Sequence, residues 1–212
     1  MKAGDQKPPL PLREQHRQET RRRILDAVRD LFRAPGFART TMEEIAERAG
    51  VSRATLFNYF PTKQSLLFPL IEQIQEGRVR PEVQAALEPW PGVVEALRVA
   101  FASVERHIFS LPDLRAALRD AVLAPRKPDA PRGDRRDLVL EILERSARQG
   151  ELRRDLPQHE LARYVRLAYV ADRLGPRADC PGEDPQGLER VDELLRFLAP
   201  AIVAHQRSRP TS

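Results

Sequence analysis

The run from Thr40 to Phe60, TTMEEIAERAGVSRATLFNYF, constrains this chain more than any other stretch. Thr41 is a good helix N-cap, and Glu44 three residues on completes a capping box. Met42, Ile45, Ala46 and Ala49 then fall on one face at helical spacing. Gly50 stands where the chain must reverse, and glycine takes the left-handed conformation without steric cost. Ser52 can cap a second short helix through Arg53, Ala54, Thr55, Leu56, Phe57, Asn58 and Tyr59. Val51, Leu56 and Phe60 anchor it, leaving Arg53, Thr55, Asn58 and Tyr59 to face outward. Two short helices joined by a glycine turn are the arrangement of a helix-turn-helix. A helix opening Ser-Arg-Ala-Thr offers hydroxyls and a guanidinium where base edges and phosphates would be met. Amphipathic helix pairs with a glycine turn also occur in all-helical proteins that bind no DNA. Here a basic helix precedes the run and a capped segment, Pro61-Thr62-Lys63, follows it.

Residues 20–67 resemble the N-terminal DNA-binding domain of the tetracycline-repressor (TetR) family of bacterial transcription regulators. The pattern is carried in order by Thr20 to Ala27, by Leu31-Phe32 and Gly36-Phe37, and by Thr40-Thr41 and Ile45-Ala46. It continues through Ala49 to Ser52, Thr55-Leu56, Tyr59-Phe60 and Lys63. This is about a quarter of the chain; the rest matches the family in length and helical pattern. The resemblance implies that Thr41 holds a phosphate, Arg53 and Thr55 face base edges, and Tyr59 and Lys63 clamp the DNA backbone. Arg21, Ser52 and Asn58 complete the candidate DNA-contacting set. Phe57 stands where the family usually has tyrosine, so any phosphate contact from that hydroxyl is absent. Asn58 falls at a variable position and either reads adenine or touches solvent. Pro35 should stop the first helix at or before Ala34.

Charge is unevenly spread. Residues 1–80 hold 15 Lys+Arg against 10 Asp+Glu, and residues 81–212 hold 21 of each, so the whole net charge of +5 lies with the proposed DNA-binding half. Such a basic segment suits phosphate contact, which brings affinity and salt dependence but little sequence selectivity. Pro8, Pro9 and Pro11 point to a disordered arm over 1–16, followed by the helix-turn-helix domain at 17–63. A helical effector-binding and dimerisation domain is expected at 64–206, and a disordered tail at 207–212.

The expected fold class is all-α: a three-helix helix-turn-helix domain followed by a C-terminal helical bundle. The first helix runs from Glu14 or Arg17 to Ala34. The fourth begins after Thr62, and Pro69 inside it predicts a kink or break. Further helices are expected over 92–110, 112–124, 134–149, from Pro157 to Gly175, and over 186–206, with loops at 125–133 and 175–185. The last two helices carry more apolar surface than one core face needs. Leu161, Tyr164, Val165, Ala168 and Ala171 make one stripe of the first, and Leu167, Val170 and Leu174 a second. Leu188, Val191, Leu194, Leu195, Leu198 and Ile202 make the stripe of the other. A helix apolar on two sides must be covered on two sides, either within one subunit or by a partner. The family resemblance points to the partner: a four-helix bundle in a homodimer, with Leu167, Val170, Leu174, Val191, Leu194, Leu195, Leu198 and Ile202 at the interface.

Chemistry of other kinds finds little support. His16, His107, His159 and His205 are scattered without metal-ligand spacing. There is no phosphate-cradling glycine loop and no nucleophile elbow. The expectation is no enzyme, no metal and no cofactor. No apolar run approaches the ~18 residues of a membrane span, and the N-terminus lacks a signal-peptide core. Cys180 is the only cysteine, so no intrachain disulfide can form; it is either an inert loop residue or a redox sensor. A cytoplasmic, nucleoid-associated chain is expected. The resemblance further implies a palindromic double-stranded operator, repression as the usual outcome, and an unidentified small-molecule effector. Candidate pocket walls are Phe101, Val104, Phe109, Leu118, Ile142, Tyr164 and Ala168; each also reads as ordinary core. The rival reading is a helical protein-binding adaptor with the same basic surface and no sequence-selective DNA binding.

Overall fold

The computed structural model describes residues 11–111, 113–123, 137–175 and 188–204. Its contacts divide the chain into two units, Met1–Leu70 and Ile71–Ser212. The expected loop at 125–133, Cys180, and most of the expected loop at 175–185 lie outside the described residues.

In the first unit, α1 spans Leu12–Arg33, α2 Met42–Ala49 and α3 Arg53–Tyr59. α1 ends where Pro35 requires, with Ala34 extended at φ −158°, ψ 115°. Ile24, Leu25, Val28 and Phe32 of α1, Ile45, Ala46 and Ala49 of α2 and Leu56 of α3 are all buried, with α2 packed against both α1 and α3. Each large side chain so buried stabilises the unit by about 1.5–3 kcal/mol. The capping box at the start of α2 forms in full: Thr41 Oγ1 accepts from Glu44 N at 3.2 Å, and Thr41 N donates to Glu44 Oε2 at 2.8 Å. Gly50 ends α2 at φ +62°, with Val51 N–H on Ala46 O and Gly50 N–H on Glu47 O, each at 3.0 Å. These are the two bonds of a Schellman ending. Ser52 caps α3 by accepting from Thr55 N at 3.1 Å.

A 3-10 turn at Gln64–Leu66 leads into α4, Leu67–Ile74, which runs across the division between the units. The expected disruption at Pro69 is corrected. Pro69 is the third residue of α4, in the first helical turn, where a missing N–H has no α-helical carbonyl to lose. The irregularity lies further on, as a π turn over Gln75–Val79 that continues directly into α5, Arg80–Ala86.

The second unit continues with α6, Val93–Val104, closed by another π turn at Glu105–Phe109. α7 spans Leu114–Leu123, α8 Leu138–Arg148, α9 Gln158–Leu174 and α10 Leu188–Ile202. α6 packs against α5, α8 and α10, and α9 against α7, α8 and α10. Glu151 pins the base of this bundle. Its carboxylate accepts from the Trp90 indole at 2.9 Å, from Val93 N at 3.0 Å and from Ser146 Oγ at 3.0 Å, so it also satisfies an open amide at the start of α6. The Arg145 guanidinium lies over the Trp90 ring at 4.8 Å. Among the described residues there is no strand; one antiparallel bridge joins Leu152 and Val203. No helix among them is long and apolar enough to cross a membrane.

Candidate nucleic-acid interface

α3 is held at both ends by its own sequence. At its start the Ser52 and Thr55 hydroxyls share a hydrogen bond of 2.8 Å. Behind it, Arg23 of α1 donates through Nη2 to Ala49 O at 2.6 Å and Gly50 O at 2.9 Å, tying α1 to the turn between α2 and α3. A Cβ on Gly50 would stand 2.9 Å from that same nitrogen, so the glycine serves both the left-handed turn and the close approach of Arg23. With Leu56 buried, α3 leaves Ser52, Arg53 and Asn58 exposed and Thr55 and Tyr59 half-buried.

Arg53 leans on its own unit, with Nη2 at 3.1 Å from Glu43 Oε1 and its guanidinium 5.4 Å from the Phe57 ring centroid. Both ends of that ion pair are well exposed, so releasing it costs little. Arg21 is exposed on α1, 5.9 Å from the Phe60 ring centroid. Tyr59 packs its ring at a tilt against Phe60, 6.4 Å between centroids. Thr41 is exposed, and its hydroxyl also donates to Glu44 Oε2 at 2.9 Å. The Thr41 amide, and then its hydroxyl, hold the Glu44 carboxyl below the usual glutamate range.

Lys63, expected to clamp the DNA backbone, is engaged within its own unit. Its ammonium donates to Phe37 O at 2.9 Å, Ala38 O at 3.2 Å and Thr40 O at 2.9 Å, and sits 4.6 Å from the Phe37 ring centroid. An ammonium has three donors, and all three are spent on the loop between α1 and α2. Without DNA, Lys63 ties that loop together. Neither its three acceptors nor the two of Arg23 could be read from spacing, because backbone carbonyls carry no sequence signature.

In the second unit the candidate pocket walls differ in burial. Phe101, Leu118 and Ile142 are buried, and Val104, Phe109 and Ala168 half-buried. Tyr164 is corrected: it is 51% exposed. The inward row of α9 is Leu161, Val165, Tyr169 and Arg173, spaced four apart, and Tyr164 stands one residue, about 100°, off that row. Tyr169 is the tyrosine of α9 that faces inward. Its ring stacks on Phe101 at 4.1 Å with 4° between planes, and Phe109 meets it edge-on at 6.4 Å. An open groove of about 550 Å³ between α8 and the start of α9 is lined by Leu140, Leu152, Arg153 and His159 among others, and by none of the candidate walls.

The expected interface set divides by exposure in the single chain. Val191, Leu195 and Ile202 are 1–3% exposed, and Leu174 is buried, so all four belong to the subunit's own core. Of the α10 stripe, Val191, Leu195 and Ile202 face inward, and Leu188, Leu194 and Leu198 lie at its edge. The outward apolar residues are Tyr164, Leu167 and Val170 on α9 and Phe197 on α10, with Leu194 and Leu198 half-buried.

Among the described residues, a helix-turn-helix with an outward polar face is followed by a helical second unit, and the proteins that share this arrangement and sequence are transcription regulators of the helix-turn-helix class. The model of the bacterial regulatory proteins of the tetR family matches residues 24–70. The HTH-type transcriptional repressor AcnR of Corynebacterium diphtheriae is 30% identical over 177 residues, covering 82% of this chain and 88% of that protein. The HTH-type transcriptional repressor Rv1474c of Mycobacterium tuberculosis is 29% identical over 188 residues, 86% of this chain and 94% of that protein. The crystal structure of Thermus thermophilus FadR, a TetR family transcriptional repressor in complex with lauroyl-CoA, is 32% identical with a TM-score of 0.65. It covers 91% of this chain, which spans 100% of that one. The chain belongs to the tetR family of bacterial regulatory proteins.

Proposed function

We propose that this protein is a transcriptional repressor that binds a palindromic operator as a homodimer and is released by a small-molecule effector bound in its C-terminal unit. The exposed face of α3 carries the reading. Arg53, Asn58 and Thr55 stand on a helix whose caps and buried Leu56 fix its rotation, with Thr41 and Tyr59 on either side for phosphate. The relatives AcnR and Rv1474c are named as repressors, which supports repression here. The FadR relative was solved with lauroyl-CoA, which supports an organic effector.

The homodimer rests on exposed apolar side chains. Tyr164, Leu167, Val170 and Phe197 are between 38% and 80% exposed, a group of large apolar residues that water alone would cover poorly. Two-fold symmetry of the protein demands two-fold symmetry of the operator. The test is selection of bound fragments from random duplex DNA, followed by footprinting. The expected result is an enriched inverted repeat with half-sites about one helical turn apart or slightly more. Enrichment of a single asymmetric half-site would overturn the dimeric reading, and no enrichment at all would overturn the regulator reading.

A further inference from the structure

The interior of the second unit contains a carboxylate and a guanidinium closed off from solvent. Glu105, on the π turn that ends α6, has a side chain 2% exposed, and Arg173, in the last turn of α9, one 0% exposed. Arg173 Nη2 donates to Glu105 Oε2 at 2.5 Å, and Tyr169 Oη donates to Oε1 at 2.7 Å. From α7, Arg115 Nη2 stands 3.9 Å from Oε2. The acid is therefore well matched.

The cation is not. Arg173 Nε and Nη1 are buried without a hydrogen-bond partner. A guanidinium presents two donor forks that share one nitrogen. The Glu105 contact takes one hydrogen of that shared Nη2 and leaves the other fork whole. Buried charged donors left unmade are costly, and natural structures keep few of them without a use. Arg173, Glu105 and Arg115 thus form one cluster. Aromatic rings wall it: Phe101 stacks on Tyr169, and Phe109 lies 5.8 Å from the Arg173 guanidinium and 5.7 Å from that of Arg115.

We propose that the open fork of Arg173 is the anchoring point of the effector, and that it takes a carboxylate carried on an apolar body. The proposal rests on the effector-bound reading given above and names its ligand chemistry. A planar carboxylate accepts two parallel N–H bonds from such a fork, and the ring wall receives the body. Burial raises Glu105 above the usual glutamate range, against the opposing pull of Tyr169, Arg173 and Arg115. The next two residues of the same π turn, Arg106 and His107, are held by Glu82 of α5. A ligand held by Arg173 beside Glu105 is therefore linked, through the π turn, to Glu82 of α5.

The test uses the full-length protein without DNA and two matched probe pairs, naphthoate against naphthamide and decanoate against decanamide. Calorimetry gives affinities, and heteronuclear NMR of arginine Nε–H groups reports on Arg173 directly. The expected result is that at least one carboxylate binds about tenfold or more tighter than its amide and shifts the Arg173 Nε resonance. Glu105→Gln removes the competing charge yet keeps an oxygen for Tyr169, and should tighten carboxylate binding several-fold. Arg173→Lys keeps the charge but not the fork, and should erase the preference for carboxylate. If Arg173→Lys fails to fold by circular dichroism, wild type and Glu105→Gln decide the matter. Carboxylates binding no better than amides in both pairs, an unmoved Arg173 resonance, or weaker binding by Glu105→Gln would each overturn the proposal. Any of these results leaves operator selection unaffected. Conversely, a protein that prefers carboxylates but selects no duplex would sink the regulator reading alone.

Discussion

Arg53 and Lys63 look alike in sequence, as cations flanking a recognition helix, and differ in what their charges do. Arg53 holds an exposed ion pair that it can surrender to a base edge. Arg53→Ala should weaken binding to the selected operator by about 1–3 kcal/mol more than binding to random duplex. Fluorescence anisotropy on both DNAs measures this, and equal losses would remove Arg53 from base reading. Lys63→Met should leave the salt slope of DNA binding unchanged. It should instead destabilise the first unit by about 1–3 kcal/mol, because three carbonyls lose a charged donor. Denaturant unfolding distinguishes the two outcomes, and a flattened salt slope at wild-type stability would restore a phosphate role. Glu44 gives the first unit an acid sensitivity. Its carboxyl is held below the usual glutamate range by the Thr41 amide, so its contribution is full above that range and lost as pH falls through the depressed value. Glu44→Gln keeps the geometry of the cap without the charge. The thermal midpoint of the variant should therefore fall less between neutral and acid pH than that of wild type.

At the scale of the element, proline position matters more than proline presence. Pro69 sits in the first turn of α4, so Pro69→Ala should change stability by less than ~1 kcal/mol and leave helix content intact. A loss of several kcal/mol in a denaturant melt would show that the locked φ of Pro69 holds the junction between the 3-10 turn and α4. The elements of the first unit were legible because their signals are local. Thr41 with Glu44, Gly50, Ser52 and Pro35 each act within one helical turn of the residue they fix. The facing of α9 and α10 was less legible. Both helices are apolar around most of their circumference, so periodicity marked Leu195 and Leu167 as equals, whereas packing buries one and exposes the other. The Glu105–Arg173 pair is separated by 68 residues, and nothing near either residue announces the other. The π turns at Gln75–Val79 and Glu105–Phe109 each add a residue to a helical turn, which shifts the register of any stripe read through them.

At the scale of the whole molecule, the proposed dimer separates two substitutions that lie two residues apart on α10. Phe197 is 80% exposed, so Phe197→Arg should give a folded monomer in sedimentation and abolish operator binding. Leu195 is 3% exposed, so Leu195→Arg buries an unpaired charge in the subunit core and should cost on the order of 3–5 kcal/mol. A dimeric Phe197→Arg variant would move the contact to another surface. One further feature makes these measurements tractable. The single indole of the chain, Trp90, is bonded to Glu151 beneath the Arg145 guanidinium, wholly within the second unit. Tryptophan emission is thus an optical reporter of that unit alone, and the helix-turn-helix is dark in the same channel. A melt in which ellipticity falls before the emission changes would record the first unit unfolding by itself. A ligand that shifts only the later, emissive transition would reveal its own address.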